Sequence, residues 1–312
     1  MVVSSTNRTN NEIKSYGANA TAKASTSTLN ERTNQESQGV IYEPGSSVED
    51  FGLYTAKGVS TSSLKNNYKI REALHSLGFY SGPTDGNLKS KMSINAIKTF
   101  QTVYALDVSG QMNGATKTKL EKVYNMKQKI VSSNVIQKID DAMSMYKLDY
   151  TQRDTFANTW VFLREAMDLS PKQAAGVCGN IMNESVFSAD NAQDGSYPGV
   201  HNKNYTYQTG DKIGYGLIQW GHASRKKGLQ NMAKNMGLSV SNLNVQLAYF
   251  RYEMLYSNDY KEKWKMVKAA KTVKDTSDAF LREIESPDSL NYKERTKYSR
   301  IIYNNMKTIS GV

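Results

Sequence analysis

Apolar residues recur at helical spacing through most of the chain after residue 65, and this period limits the possible folds more than any other feature. Two of these sets are Ile70, Ala73, Leu74, Leu77 and Phe156, Trp160, Leu163, Met167. Residues three or four positions apart share one face of an α-helix, so each set gives a helix with one apolar face. The sequence therefore predicts a mainly α-helical fold.

The first 65 residues lack this period. They contain 19 Ser or Thr residues, and their six basic residues balance six acidic ones. A segment of this composition cannot bury enough apolar surface to offset the entropy lost on ordering. We expect residues 1–65 to form a disordered polar tail.

The chain of 312 residues carries a formal net charge of +11. Because the tail is neutral, the excess positive charge lies after residue 65. Positive charge favours polyanions, which include nucleic acids, anionic lipids and polyanionic cell walls. The sequence contains no zinc finger, Arg-rich helix or other named nucleic-acid motif, so we expect no nucleic-acid partner.

Several classes of protein are excluded by what the sequence lacks. Cys178 is the only cysteine, and the three histidines lie far apart without an HExxH pair. We therefore expect no metal, and the sequence implies no organic cofactor. No apolar stretch approaches the roughly 18 residues of a membrane span, and the N-terminus lacks the apolar region of a Sec signal. We expect no membrane insertion.

Turn residues separate three short helices predicted within residues 66–125. The motif positions are Leu77, Gly78, Phe79, Tyr80, Gly82, Asp85, Gly86, Ala96, Ile97, Phe100, Gln101, Leu106, Val108, Gly110 and Thr116. This pattern resembles the type-1 peptidoglycan-binding domain. The resemblance implies a three-helix module that binds bacterial peptidoglycan, and the alternative is a three-helix spacer without a ligand.

Residues 126–155 read as a helical linker, and residues 156–312 as a second domain. One apolar stripe marks the linker: Ile136, Ile139, Met143 and Tyr146. A stripe of this kind is expected to pack on the domain that follows.

A capped helix in the second domain carries the catalytic candidate, Glu184. Ser170, Pro171 and Gln173 form the pattern of a capping box with proline at the first helical position. Glu184 continues the apolar stripe of Ala174, Val177 and Ile181. Desolvation there would raise the pKa of its carboxyl, and a protonated glutamic acid can donate a proton to a leaving oxygen. The alternative is a helix-end carboxylate that faces solvent.

A second motif follows a polar loop: Gly214-Tyr215-Gly216-Leu217-Ile218-Gln219-Trp220. Together with Asn180-x-x-x-Glu184-Ser185, it resembles the phage tail lysozyme family within the wider lytic transglycosylase and goose-type lysozyme superfamily. Further matching positions are Gly176, Gly179, Arg225, Val245, Gln246, Leu247, Tyr249, Phe250, Tyr252, Glu253, Phe280, Pro287 and Arg295.

The resemblance implies a lysozyme-like helical domain in which Glu184 is the catalytic acid. Ser185 matches the residue that orients the acid, and Gln219 matches the glutamine that lines the cleft. The remaining substrate-binding candidates are Asn180, Tyr215, Trp220 and Arg225. The alternative for Trp220 is a buried position in the core. Arg225 could pair with a wall carboxylate, or it could cap the end of a helix.

The resemblance implies a peptidoglycan hydrolase that cleaves the β-1,4 bond between N-acetylmuramic acid and N-acetylglucosamine. Glycosidases usually need two carboxylates, and the spacing selects none of Asp190, Asp194 and Asp211 as the second. Hydrolysis and lytic transglycosylation therefore stay open. The alternatives are a catalytically inactive wall-binding component of a phage tail or flagellar rod, and a peptidase that uses Cys178 with His201 or His222.

We expect a protein made in the cytoplasm without a Sec signal that acts at the bacterial cell wall. Holin release, transport on a phage tail and flagellar-type export are all compatible with the sequence.

Overall fold

The computed structural model describes residues 66–83, 85–143, 147–193, 205–286, 291–309 and 311. Within these ranges the chain forms eleven α-helices and one π-helical turn, without a β-strand. The prediction of a mainly α-helical fold is confirmed. The predicted disordered tail, residues 1–65, lies outside the described residues.

The first three helices form the N-terminal module: α1 (Asn67–Ser76), α2 (Lys91–Val103) and α3 (Gly114–Ser132). Its motif residues hold the module together. Gln101 of α2 donates hydrogen bonds to Gln111 O (2.9 Å) and Thr116 Oγ1 (3.0 Å), and it accepts one from Gly110 N (2.9 Å). Because Gln101 is buried, these bonds satisfy its amide and fix the turn between α2 and α3.

The remaining elements are α4 (Val135–Ala142), α5 (Tyr150–Glu165), α6 (Pro171–Ser185), α7 (Ala223–Met236), α8 (Leu243–Tyr256), α9 (Lys261–Ala269), α10 (Val273–Phe280), the π-helical turn (Leu281–Glu285) and α11 (Tyr292–Met306). Helix α6 lies at the centre of this set and packs most extensively on α11 and α10. Of the helices described here, none is both long and apolar enough to cross a membrane.

Residues 126–155, the predicted helical linker, include the end of α3, all of α4 and the start of α5. Helix α3 continues past residue 125, the predicted end of the module, to Ser132, because Val123, Met126 and Ile130 keep one buried face. The module also contacts the second domain directly. Asn244 Nδ2 of α8 donates to Gly78 O (2.8 Å), and Lys122 Nζ of α3 pairs with Glu165 Oε2 of α5 (2.8 Å).

Glycines on α6 allow its close contact with α11. A Cβ atom at Gly179 would lie 2.5 Å from Ser299 N and 2.7 Å from Ser299 Cα, both backbone atoms of α11. These distances are shorter than van der Waals contact, so a methyl group there forces the two helices apart. The absence of a side chain at Gly179 therefore allows α11 to approach α6 closely.

We expect Gly179→Ala to lower the free energy of unfolding by about 1–3 kcal/mol, the usual cost of overpacking a core. Urea denaturation of the full chain measures it. Gly114→Ala is the matched control, because a Cβ at Gly114, in the first turn of α3, meets no atom within 4 Å. Equal stability of the two variants would contradict the close packing of α6 and α11.

Candidate active site

Helix α6 places Glu184 one residue before its C-terminus. The predicted capping box is present: Ser170 Oγ accepts from Gln173 N, and Gln173 Oε1 accepts from Ser170 N (2.9 Å). The helix ends in two non-glycine residues in the left-handed region, Val186 (φ 49°) and Phe187 (φ 57°), and both are buried. Left-handed conformations are costly for such residues, so packing must hold the chain in this turn after Glu184.

The second motif forms a tight loop against the end of α6. Gly216 has φ 75°, and a Cβ there would lie 2.6 Å from Gln246 Nε2 of α8, so only glycine fits. Gln246 fixes the loop by accepting a hydrogen bond from Leu217 N (2.8 Å). Ser185 Oγ donates to Leu217 O (2.8 Å). Ser185 therefore joins α6 to the loop, and it holds the position of the helix end that carries Glu184.

Gln219 lies on this loop with its side chain half-buried. Its Nε2 donates to Gly216 O (2.8 Å) and Asn191 O (3.4 Å). Asn191 Nδ2 in turn donates to Glu184 O (3.5 Å). The structure thus brings Gln219 to the same end of α6 as Glu184, through a single intervening residue.

The carboxyl of Glu184 belongs to a cluster of three charged side chains. Arg295 of α11 pairs through Nη2 with Glu184 Oε1, and its Nη1 lies 2.7 Å from Glu285 Oε2. The side chain of Glu184 is 18% exposed, whereas that of Glu285 is 4% exposed. One guanidinium therefore faces two carboxyls. Of these two, Glu184 is partly exposed to solvent and Glu285 is almost fully buried.

Glu285, the last residue of the π-helical turn, is in an environment that disfavours ionisation. Burial raises the pKa of its carboxyl well above the ordinary value, and the nearby charge of Glu184 raises it further. Arg295 acts in the opposite direction but does not reverse the shift. Glu285 therefore favours its protonated form at pH values where an exposed glutamate is ionised.

Two of the expected substrate-binding residues have structural roles instead. Asn180 is fully buried, donates to Gly176 O (2.8 Å), and faces Arg295 Nη1 with its Oδ1 (3.4 Å). Arg225 forms a two-bond ion pair with Glu253 of α8, at 2.8 Å for each bond. Because protein groups already satisfy both side chains, neither is available to a sugar or a wall carboxylate, and the two expectations are corrected.

The expected stacking residues are also buried. Trp220 is 0% exposed and donates to Glu253 Oε2 (3.1 Å), so its ring offers no face to a sugar. Tyr215 is buried as well, under the half-buried rings of Tyr205 and Tyr207, with centroids 5.7 and 4.9 Å away. Exposed aromatic surface at this loop therefore comes from Tyr205 and Tyr207, which sequence reasoning did not single out.

The three aspartates considered as a second carboxylate differ in their surroundings. Asp211 pairs with the buried Lys226 and accepts from Tyr205 Oη (2.9 Å), and the hydrogen bonds from these two groups outweigh its desolvation and lower its pKa. Asp190 accepts from Ser188 Oγ (2.7 Å). Asp194 lies outside the described residues. Asp211 is thus committed to an ion pair.

Cys178 is a core residue of α6. It is fully buried, and burial raises the pKa of its thiol. His222 is exposed and caps α7, and His201 lies outside the described residues. A buried thiol of raised pKa cannot serve as an accessible nucleophile, which removes the basis for the peptidase alternative. The described ranges also contain no group of three or more His, Cys, Asp or Glu side chains that could hold a metal ion.

Sequence reasoning missed the Glu285 carboxyl and the function of Arg295 beside Glu184. Glu184 and Arg295 are 111 positions apart, so no local period joins them. A weak signal was present, because Glu285 follows Leu281 and Ile284 at helical spacing. This spacing placed a carboxyl on an apolar face, as it did for Glu184.

Two family models match the chain. Residues 154–306 match the model for phage tail lysozyme, and residues 66–120 match the model for a peptidoglycan-binding domain. No curated protein matches the sequence. The two matches support a lysozyme-like protein that acts on the bacterial cell wall, with peptidoglycan as its partner. The chain is therefore similar to phage tail lysozymes over residues 154–306, with a peptidoglycan-binding domain before that region.

Proposed function

We propose that this protein cleaves the β-1,4 bond between N-acetylmuramic acid and N-acetylglucosamine in peptidoglycan, with Glu184 as the general acid. One observation carries the proposal. Within the region similar to phage tail lysozymes, the partly exposed carboxyl of Glu184 forms a cluster with a second, buried carboxyl, on the helix end to which the loop of Gln219 is joined.

The chemistry follows from the position of this group. Protonated Glu184 donates its proton to the bridging oxygen as the bond between that oxygen and the anomeric carbon breaks. The departing sugar leaves with a free hydroxyl. The carboxylate that remains on Glu184 stabilises the positive charge that develops on the other sugar.

Glu285 is not placed to act as the second carboxylate of a two-residue mechanism. In retaining glycosidases the two carboxyl groups stand about 5–5.5 Å apart, and in inverting enzymes about 6.5–9.5 Å apart, with the sugar between them. Glu285 is almost fully buried and is close enough to hydrogen-bond with Glu184. No sugar fits between the two groups, so we assign the second step either to a water activated elsewhere or to the sugar's own hydroxyl.

Digestion of purified peptidoglycan, with mass spectrometry of the soluble products, tests the proposal. We expect fragments that end in N-acetylmuramic acid. Free reducing ends would identify water as the nucleophile, and 1,6-anhydro ends would identify the sugar's own hydroxyl. Fragments that end in reducing N-acetylglucosamine, or no soluble fragments at all, would contradict the proposed bond.

The second candidate function is a wall-binding structural component without catalysis. The contact between Arg295 and Glu184 favours this second function, because a glutamate held in an ion pair is a poor proton donor. A binder of this kind would sediment with purified sacculi and release neither reducing ends nor soluble fragments. The digestion above therefore separates the two functions.

A further inference from the structure

The cluster at Glu184 has more negative than positive charge when all its groups are ionised. Glu184 and Glu285 contribute two carboxylates, and Arg295 contributes one guanidinium. The side chain of Arg295 is 6% exposed, so two of the three groups are almost fully buried. An uncompensated buried charge is costly, and one bound proton makes the cluster neutral.

The surroundings of Glu285 favour a proton on one of the two carboxyls. Both oxygens of Glu285 are buried without a hydrogen bond of good geometry, although Oε2 is within ion-pair distance of Arg295. Unsatisfied buried oxygens call for a donor. A proton on one carboxyl supplies that donor, because it allows Glu184 and Glu285 to hydrogen-bond to each other.

We propose that Glu184 and Glu285 share a single proton across Arg295, and that Glu285 is a positioning residue that keeps this proton available to Glu184. The catalytic part of this inference, the supply of a proton to Glu184, rests on the proposed function. Arg295 faces both carboxyls, so it stabilises the one negative charge on whichever carboxyl has lost the proton. The proton can therefore move between the carboxyls without creating an unpaired buried charge.

Other charged groups around Glu285 are already paired. The groups that face it come from Glu184 of α6, Arg295 of α11 and Arg225 of α7, whose partner is Glu253 of α8. Helix α9 buries only Trp264 and Val267, and Asp278 of α10 pairs with Lys274. The proton count of the cluster is thus set by Glu184, Glu285 and Arg295.

Removal of the Glu285 carboxyl changes the pH profile of activity. In Glu285→Gln the second carboxyl is gone, and Arg295 has a single carboxylate left to pair with, that of Glu184. We expect kcat/KM at pH 7 to fall about 10–100-fold, in line with the effect of an unshared opposite charge on a carboxyl. The loss should shrink as the pH falls. The alkaline limb of the profile therefore moves to lower pH.

Two further variants separate this effect from structural damage. Glu285→Asp keeps a carboxyl and restores the position of the alkaline limb. Glu283→Gln makes the same charge change on the same turn, but Glu283 pairs with Arg282, so its profile matches the wild type. A loss in Glu285→Gln of equal size at every pH, or no loss, would overturn the inference.

Stability gives a second readout with a definite sign. The pKa of Glu285 is raised in the folded protein, so its contribution to stability is complete below the pKa of an unfolded glutamate and is lost as the pH rises through the folded value. Glutamine does not titrate. The melting temperature of Glu285→Gln should therefore fall less than that of the wild type as the pH rises from about 4.

Carbon-13 spectra of the full chain labelled at glutamate carboxyls test proton sharing without any activity. At pH 7 we expect the protonation shift of one carboxyl, carried by one resonance or divided between two, and its midpoint should move to lower pH in Glu184→Gln. Ionised shifts for every glutamate at pH 7 would overturn the inference. If the protonated resonance is present but peptidoglycan stays intact, the proposed function fails and the shared proton stands.

Discussion

Glu184→Gln is expected to slow the release of soluble fragments from purified peptidoglycan by about 10²–10⁴-fold, the usual contribution of a general acid. Glutamine has nearly the same shape, but it has no acidic proton to give to the bridging oxygen. The rate is measured from the initial appearance of new sugar ends at equal enzyme concentration, at the pH of maximal wild-type activity.

The matched control for this variant is Glu262→Gln, since Glu262 is an exposed glutamate of α9 that pairs with Lys265 on the same helix. It should keep wild-type activity. Sedimentation with sacculi tests whether Glu184→Gln still folds and binds the wall. A Glu184→Gln variant as active as the control would remove Glu184 from the reaction and leave the similarity to lysozymes without a catalytic acid.

Glu253→Ala is expected to lower the free energy of unfolding by about 3–5 kcal/mol, which is the cost of leaving a buried charge without its partner. Glu253 is buried and accepts from Arg225 through two bonds, from Trp220 Nε1 and from Tyr249 Oη (3.2 Å). Burial disfavours the charged form of Arg225, but the charge and hydrogen bonds of Glu253 outweigh it and raise the pKa of Arg225. Urea denaturation measures the loss.

The double variant Arg225→Met with Glu253→Leu tests whether the unpaired charge is the cause. It removes both charges and keeps apolar volume, so it should recover most of the stability that Glu253→Ala loses. A loss of under about 1 kcal/mol in Glu253→Ala, or a double variant no better than the single one, would mean that Arg225 reaches solvent after its partner is removed.

Short-range sequence patterns predicted much of the domain that carries Glu184. The apolar period located the helices, and the capping box at Ser170 and Gln173 located the start of α6. The spacing from Ala174 to Glu184 indicated a carboxyl near the core. These features depend on residues within a few turns of one another, so they can be read from the sequence.

Contacts between distant segments could not be predicted in this way. Arg225 and Glu253 lie on different helices, and their pairing decides that Trp220 belongs to the core and that Arg225 is not free for a ligand. Glu184, Glu285 and Arg295 come from three different elements, and the close contact of α11 with α6 at Gly179 brings Arg295 to both carboxyls. A sequence pattern records neither the crossing nor the charge balance that it creates.

The direct packing of the N-terminal module on the second domain has a consequence for how the wall is cut. Helix α2 packs on α8 and α3 packs on α5, with Asn244 and Lys122 among the contacts. The module and the second domain are therefore in direct contact through two pairs of helices. Under the proposed function, a glycan strand bound by the module would meet Glu184 at a set distance and in one orientation, so the binding point on the strand would decide which bond is cut.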